Sequence, residues 1–438
     1  MQVVSVLQAL KMIYPTIYVV MLEGALIYLL SIGDLSFKIN EFWIGVFFAS
    51  FAYALSARAV LQGNFFSTKT ILSIAIVFRI TMWLSYPSLS DDIYRYIWDG
   101  HVQLSGINPY MFPPNSNELL HIRNHVFPLV NHPEITTIYP PVSQIFFMFC
   151  ALIGENVGIL KALLLVIEGV LCFFILKLLT ERNIDSRRII LYAWHPLTIV
   201  EVAGNGHIDV LGVCLMIGLL LSLEKKRFYV SSIMLALGFL SKIIPILLLP
   251  LTAVKVIREK PGRYKTSVFL ILFFLTIALF SIPYASAGLK IFSGLLIYAK
   301  AWHFNDLIHG LISTTLKNLQ IQSNEYPRLI CMSLFFSTLF YKLYKESDPL
   351  RIAFSILCAF LIFTPTLHPW YLLWIIPFFC VFPTISWITF SCVIFLAYNV
   401  LTNYKISGIW NEESWVLWCE YTPLFLILLW ENHSKSRS

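Results

Sequence analysis

Residues 90–110 read SDDIYRYIWDGHVQLSGINPY. The stretch gathers Asp91, Asp92 and Asp99 with Arg95, Trp98 and His101, and apolar runs lie on either side of it. The chain of 438 residues is 58% hydrophobic, 16% aromatic and only 13% charged, with a mean hydropathy of +0.75. A soluble domain cannot carry that balance without exposing apolar surface, so the fold class is an all-α polytopic membrane protein. The 90–110 stretch is then a polar island at the edge of a membrane, where chemistry has access to both lipid and water.

Working outward, a helix needs about 20 apolar residues to cross the hydrocarbon core. Runs at 12–32, 41–61 and 69–86 meet that need, and the first is too long for a signal-peptide core. With the N-terminus in the cytoplasm, three crossings put the loop at 87–139 outside. The next apolar run, 141–154, follows the doubled proline of YPPVSQ and is short. Charge decides its fate: if it lies in the interface, the basic segment KLLTERNIDSRR (177–188) falls inside, where Lys and Arg are favoured.

The later runs then alternate: 156–180, 187–203, 207–223, 228–241, 243–255, 264–285, 327–343, 349–367, 369–382, 384–402 and 413–431. The count is about 13 to 14 spans of roughly membrane length. The basic loops EKKR (224–227), KVIREKPGRYK (255–265) and KLYKESDPLR (342–351) and the tail SKSRS fall inside. Every histidine but His195 and His433 falls outside or at the outer edge. The site therefore belongs on the non-cytoplasmic face, and residues 1–438 read as one transmembrane domain with outer segments at 87–155 and 286–326. The formal charge of +7 is distributed by this topology, an orientation signal and not a nucleic-acid patch. The eight cysteines lie in apolar runs and form no CxxC pair, which suits packing.

In a helix starting near Ile93, Asp92, Tyr96 and Asp99 share one face while Tyr94 and Trp98 share another. Asp91 and Asp92 sit where a span ends; a carboxylate there is placed to act as a general base, and Ser90, Asp91 and Asp92 equally suit an N-cap. Trp98, Tyr94 and Tyr96 suit sugar stacking, or an interfacial aromatic belt. Gly106, Asn108 and Pro109 form a turn. His207 and Asp209, in EVAGNGHID (201–209), open a later span from its outer end. Lys242, in LSKIIP, is an intramembrane cation whose natural partner is a lipid phosphate, with snorkelling as the alternative. Arg95 and Arg79 pose the same choice. His303, beside Trp302, Asn305 and Asp306, and His368, in TLHPWYLLW (366–374), add histidines on the same face. His121 and His125 have the helical spacing of zinc ligands, with His132 as a third, but no HExxH or cysteine partner accompanies them.

The run DDIYRYIWDGHVQLSGINPY, followed by YPPVSQ, GNGHID, SKIIP and HPWYLLW, resembles the GT-C integral-membrane glycosyltransferases, in particular the bacterial polyprenol-phosphate-mannose-dependent mannosyltransferases. The motifs extend over 88–375. The resemblance implies a helical bundle with membrane-parallel helices in the first large outer loop. It implies a polyprenyl-phosphate-linked sugar as donor, a glycan or glycolipid acceptor, inversion at the anomeric carbon and no metal or other cofactor. An aspartate directly before the apolar-Tyr-Arg-Tyr run serves as base, which selects Asp92 over Asp91. A location in the bacterial plasma membrane follows. Two rival readings accept the same spans: a lipid-sugar transporter, for which no inverted repeat is visible, and a ligase that moves a glycan from a lipid pyrophosphate.

Overall fold

The computed structural model describes residues 2–63, 66–259 and 263–435. The end of the SKSRS tail and the middle of the KVIREKPGRYK loop lie outside the described residues. Among those described, the chain forms 20 α-helices joined by short tighter or wider helical turns. Its sole extended pairing is the isolated bridge of Phe304 with Thr366. The protein is all-α and polytopic.

Five helical segments are long and apolar enough to cross a membrane: Pro15–Ile32, Ile39–Gly63, Val157–Glu181, Thr266–Ala301 and Ile385–Ser407. Pro141–Ile153, Phe228–Ser241 and Pro349–Phe363 are shorter apolar helices. The 13-residue helix at 141–153 has the short length expected of an interfacial element, with Pro140 before it and Gly154 ending it. Elsewhere the apolar runs are interrupted. The run at 187–203 is three short helical pieces ending in the wide turn Ile199–Gly204, because Pro196 has no N–H and restarts the helix behind His195. Pro245 and Pro250 divide 243–255 in the same way. The segment at 286–326 is largely helical, with Ile282–Phe292, Ser293–Ala301 and Leu307–Asn318 in sequence and a non-helical Gly288 in the first.

The chain divides into two compact units. One comprises Met1–Leu89, Ile175–Asn205 and His368–Ser438. In it Gln2–Ile32 packs against Ile39–Gly63, and two buried charged groups are hydrogen-bonded. Arg79, 7% exposed, donates to the Ala193 carbonyl and to Thr198 Oγ1. Glu201 accepts from Tyr398 Oη at 2.8 Å and from Asn205 Nδ2 at 3.0 Å. Arg79 thus serves the fold of this unit, the structural side of the choice the sequence left open.

The second unit comprises Ser90–Phe174 and Gly206–Leu367. It contains the polar island, the 141–153 helix, the 228–241 helix and the helices at 282–301. Gly100 lets the island helix approach the 141–153 helix: a Cβ there would lie 2.5 Å from the Phe147 carbonyl oxygen and 2.9 Å from Ala151 Cβ. Ser143 of the 141–153 helix donates to the Ser241 carbonyl at 2.6 Å. Through that helix, the residue before Lys242 is fastened to the neighbour of the island.

Candidate active site

The island folds as the helix Asp92–Leu104. Ser90 Oγ accepts the Asp92 amide at 3.3 Å, and the Asp91 side chain makes no cap bond. Capping therefore uses the serine and leaves both carboxylates for other work. The helix stops where Gly106 takes φ 77°, and the Asn108 side chain accepts the Tyr110 amide at 3.1 Å, the turn expected there.

Asp92 is half-buried and takes one hydrogen bond, 2.8 Å from Asn131 Nδ2 to its Oδ1. One turn on, Arg95 donates through Nε to Asp99 Oδ1 at 2.9 Å and through a terminal nitrogen to the Ile135 carbonyl at 2.9 Å. Asp99 also accepts from Thr137 Oγ1 at 2.5 Å and Gln144 Nε2 at 2.8 Å. Arg95 and Asp99 are 5% and 2% exposed, a buried ion pair with its remaining lone pairs satisfied. Together they tie the island helix to the 131–139 strand of loop and to the 141–153 helix. Arg95, expected to meet a phosphate, thus directs its Nε to Asp99 and a terminal nitrogen to the Ile135 carbonyl.

The aromatic rings follow the same rule. Tyr96 stacks on Phe147 (centroids 4.7 Å apart, 7° between planes) and meets Tyr139 edge-on at 4.9 Å. Trp98 lies against Phe127 and His101. Tyr94, Tyr96 and Trp98 are all buried, and the rings of Tyr96 and Trp98 pack against residues of the 101–147 stretch. Helical spacing gave the shared faces correctly; the neighbours that cover those faces come from 127–147.

The second half of the site arrives from 206–242. Gly206 has φ 74°, and a Cβ there would lie 2.6 Å from Ile93 Cδ1, so the turn that presents His207 sits against the start of the island helix. His207 and Asp209 are buried, and Asp209 begins the helix Asp209–Glu224. Lys242 terminates the helix Phe228–Ser241 in extended backbone (φ −150°, ψ 145°), which turns its side chain off the helix. Its ammonium lies 2.8 Å from Asp209 Oδ2 and 5.7 Å from the centroid of the Tyr139 ring. Tyr139 thus touches both halves.

Burial, followed by the charge of Asp92, holds the hydroxyls of Tyr96 and Tyr139 well above the usual tyrosine range. Asp209 adds to this effect at Tyr96. The two phenols are neutral hydroxyls between a carboxylate and an ion pair.

Two groups were missed in the sequence. Asn131 is one of several loop asparagines and has no local signature. Lys161 had a signal, a cation inside the apolar run 156–180. It is fully buried, and its Cγ lies 3.2 Å from where a Gly206 Cβ would be, beside the His207 turn. His303 is exposed on the segment that follows the Ser293–Ala301 helix. His368 belongs to the first unit, where its ring stacks on Trp370 at 4.3 Å and its side chain makes no cap bond. The short helix Asn117–Ile122 ends before His125, so His121 and His125 do not share a helical face. Among the described residues, no three His, Cys, Asp or Glu side chains gather as a metal would require.

A sequence profile of the MptA_B family, described as alpha-(1->6)-mannopyranosyltransferase, N-terminal domain, matches residues 20–258, more than half the chain. The chain belongs to this family. The match spans the island, the Gly206 turn and Lys242, and fits the GT-C resemblance. The protein is accordingly a membrane glycosyltransferase of the mannosyltransferase type, acting with a sugar donor and a glycan acceptor. No curated protein matches the chain. In this mannosyltransferase, Asp92 presents a half-buried carboxylate held by Asn131. The Lys242–Asp209 pair supplies a cation held in place by a buried anion.

Proposed function

We propose that this mannosyltransferase moves mannose from a polyprenyl-phosphate donor to a hydroxyl of a glycan or glycolipid acceptor by single displacement with inversion. The observation that supports the reading is that Tyr139 lies beneath Lys242 on its Asp209 anchor while its hydroxyl feels the charge of Asp92 on its Asn131 anchor. An oxocarbenium-like displacement needs a base on one side of the anomeric carbon and a counter-charge for the leaving group on the other.

Asp92 removes the proton of the attacking hydroxyl through its second oxygen as the new C–O bond forms. The bond from the anomeric carbon to the phosphate breaks, and the negative charge that builds on the lipid phosphate faces Lys242. An ammonium carries three donors, so Lys242 serves Asp209 and a phosphate oxygen together. Asp91, His207 and His303 stand as candidates for further contacts to the sugars or the phosphate. The family description specifies an alpha-(1->6) linkage. With inversion, such a product requires a β-linked mannosyl phosphate and attack by a primary 6-hydroxyl. The reaction takes place at the non-cytoplasmic face of a bacterial plasma membrane, with surrounding lipid holding the polyprenyl tail. Direct displacement of a lipid monophosphate requires no metal.

The test is transfer of labelled mannose from polyprenyl-phosphate mannose to a mannoside acceptor by the full chain in detergent. Asp92→Asn is expected to lower kcat by about 10²- to 10⁴-fold, the span of general-base catalysis, with donor binding retained. Near-normal transfer by Asp92→Asn overturns the assignment of the base. EDTA is expected to leave the rate unchanged; a loss restored by Mg2+ or Mn2+ points to a different donor class. A transporter performs no transfer in detergent at all.

A further inference from the structure

The groups around Asp92 hang from one strap of loop, residues 131–139. Asn131 donates to Asp92, Ile135 accepts from Arg95, Thr137 donates to Asp99, and Tyr139 lies beneath Lys242. The strap turns at 132–135, where the Ile135 amide donates to the His132 carbonyl at 3.0 Å, and meets the island helix on both sides of that turn, at Asn131, Ile135 and Thr137. The far end is fixed by Tyr110 Oη, which donates to the Tyr139 carbonyl at 2.7 Å.

The opposite side of the strap is covered by the 293–302 segment. A Cβ on Gly294 would lie 2.2 Å from the Thr136 carbonyl oxygen and 2.8 Å from that of Thr137, so the Ser293–Ala301 helix rests backbone to backbone on the strap. Eight residues later, the Trp302 ring meets His132 edge-on at 4.8 Å. His132 itself has φ 43°, a left-handed conformation that a histidine holds only when its surroundings impose it. Trp302 is in turn secured: its carbonyl accepts from Arg328 at 3.0 Å and from Thr366 Oγ1 at 3.1 Å. The strained residue and its clamp are adjacent to the single side chain that holds Asp92.

We propose that Asn131 is the positioning residue of the base, and that the 293–302 segment holds it in register through Trp302 and His132. The proposal rests on the reading of Asp92 as base. An amide N–H fixed on Oδ1 sets the rotation of the carboxylate and directs Oδ2 to the acceptor hydroxyl. Other charged or titratable groups on the elements around Asp92 are Asp91, Tyr94, Arg95, Tyr96, Asp99 and His101 on its own helix and His132, Glu134 and Tyr139 on the strap. The 206–209 turn adds His207 and Asp209, the 157–181 helix Lys161, and the end of the 228–241 helix Lys242. None of them donates a hydrogen bond to Asp92 among the contacts above, so the effect of Asn131 is separable from theirs.

The experiment measures kcat, donor KM and thermal unfolding for Asn131→Ala, Trp302→Ala and Asp92→Asn, in detergent, with the same donor and acceptor. Asn131→Ala is expected to lower kcat by about 10- to 100-fold, the scale of a base misplaced by about an ångström. Its donor KM stays within about threefold, because the donor is bound as before and only the base is misdirected. Trp302→Ala, which touches no reacting group, gives the same split between kcat and KM with a smaller fall, and stands in for Asn131→Ala should that variant not fold. A loss that appears in KM with kcat retained, or unchanged kcat in both variants, overturns the proposal. If Asp92→Asn is active, the reading of the base fails; if it is inactive while Asn131→Ala behaves as wild type, the inference about Asn131 fails alone.

Discussion

Replacing Lys242 by Met separates what the Lys242–Asp209 pair does for the fold from what it does for catalysis. Asp209 is fully buried, and the Lys242 side chain is 17% exposed, so solvent screens the pair only weakly. Removing one member of a buried pair costs about 3–5 kcal/mol, because a charge is left without its counter-ion, whereas replacing both members with neutral groups is often close to neutral. Lys242→Met is therefore expected to lose about 3–5 kcal/mol of stability, and Lys242→Met with Asp209→Asn to recover to within about 1 kcal/mol of the parent. Reversible unfolding in mixed micelles measures this double-mutant cycle. Transfer activity follows a different course: neither variant holds a cation toward the departing phosphate, so both lose about 10²- to 10³-fold in kcat, the scale seen when one electrostatic stabiliser is removed. A double variant that regains stability and also regains transfer refutes the phosphate role of Lys242. A single variant as stable as the parent refutes the structural role of the pair.

Gly100→Val drives a branched side chain into the Phe147 carbonyl, which a Cβ alone would approach to 2.5 Å. A backbone atom cannot step aside as a side chain can, so a loss of at least about 1–3 kcal/mol is expected by thermal unfolding, and parental stability contradicts the close helix approach. A second expectation concerns alkaline pH. Burial, followed by the charge of Asp92, makes Tyr96 and Tyr139 hold their protons well above the usual tyrosine range, so their folded value exceeds the unfolded one. Their contribution to stability is complete below about pH 10 and declines as the pH rises beyond it toward the folded value. An absorbance titration should show these two tyrosinates only on unfolding, and Tyr96→Phe with Tyr139→Phe should flatten the decline; full tyrosine ionisation in the native protein contradicts the assignment.

The sequence made the membrane class, the island and its turn legible. Apolar runs dictate helices because a lipid-facing backbone must satisfy its own hydrogen bonds, and Gly106 and Asn108 have the local conformations that end the 92–104 helix. The short helix at 141–153 was readable for the same local reasons, its length and its flanking Pro140 and Gly154. The breaks at 190–204 and 244–258 were less legible, since prolines in an apolar run look the same in a kinked span as in a divided one. Periodicity placed Tyr94, Tyr96 and Trp98 on their faces but not against Phe147, Tyr139 and Phe127. It marked Arg95 and Asp99 as charged without revealing that each satisfies the other.

By itself, then, the sequence determined which segments are apolar, where the helix that bears Asp92 begins, and that Lys242 is a cation inside an apolar run, there read toward a lipid phosphate. Only the tertiary structure decided that Asp209 is its counter-charge, that Asn131 holds Asp92, that Lys161 lies behind the Gly206 turn and that Gly294 rests on the 131–139 strap. The reason is physical. Helix propensity and capping act over a few residues of chain, whereas desolvated ions, hydrogen-bond donors and Cβ-free contacts are matched in space by residues 30 to 160 positions apart, as in Asp92 with Asn131, Asp209 with Lys242 and Gly294 with Thr136. The island of residues 90–110 carries the carboxylates; the fold supplies everything that holds them in place.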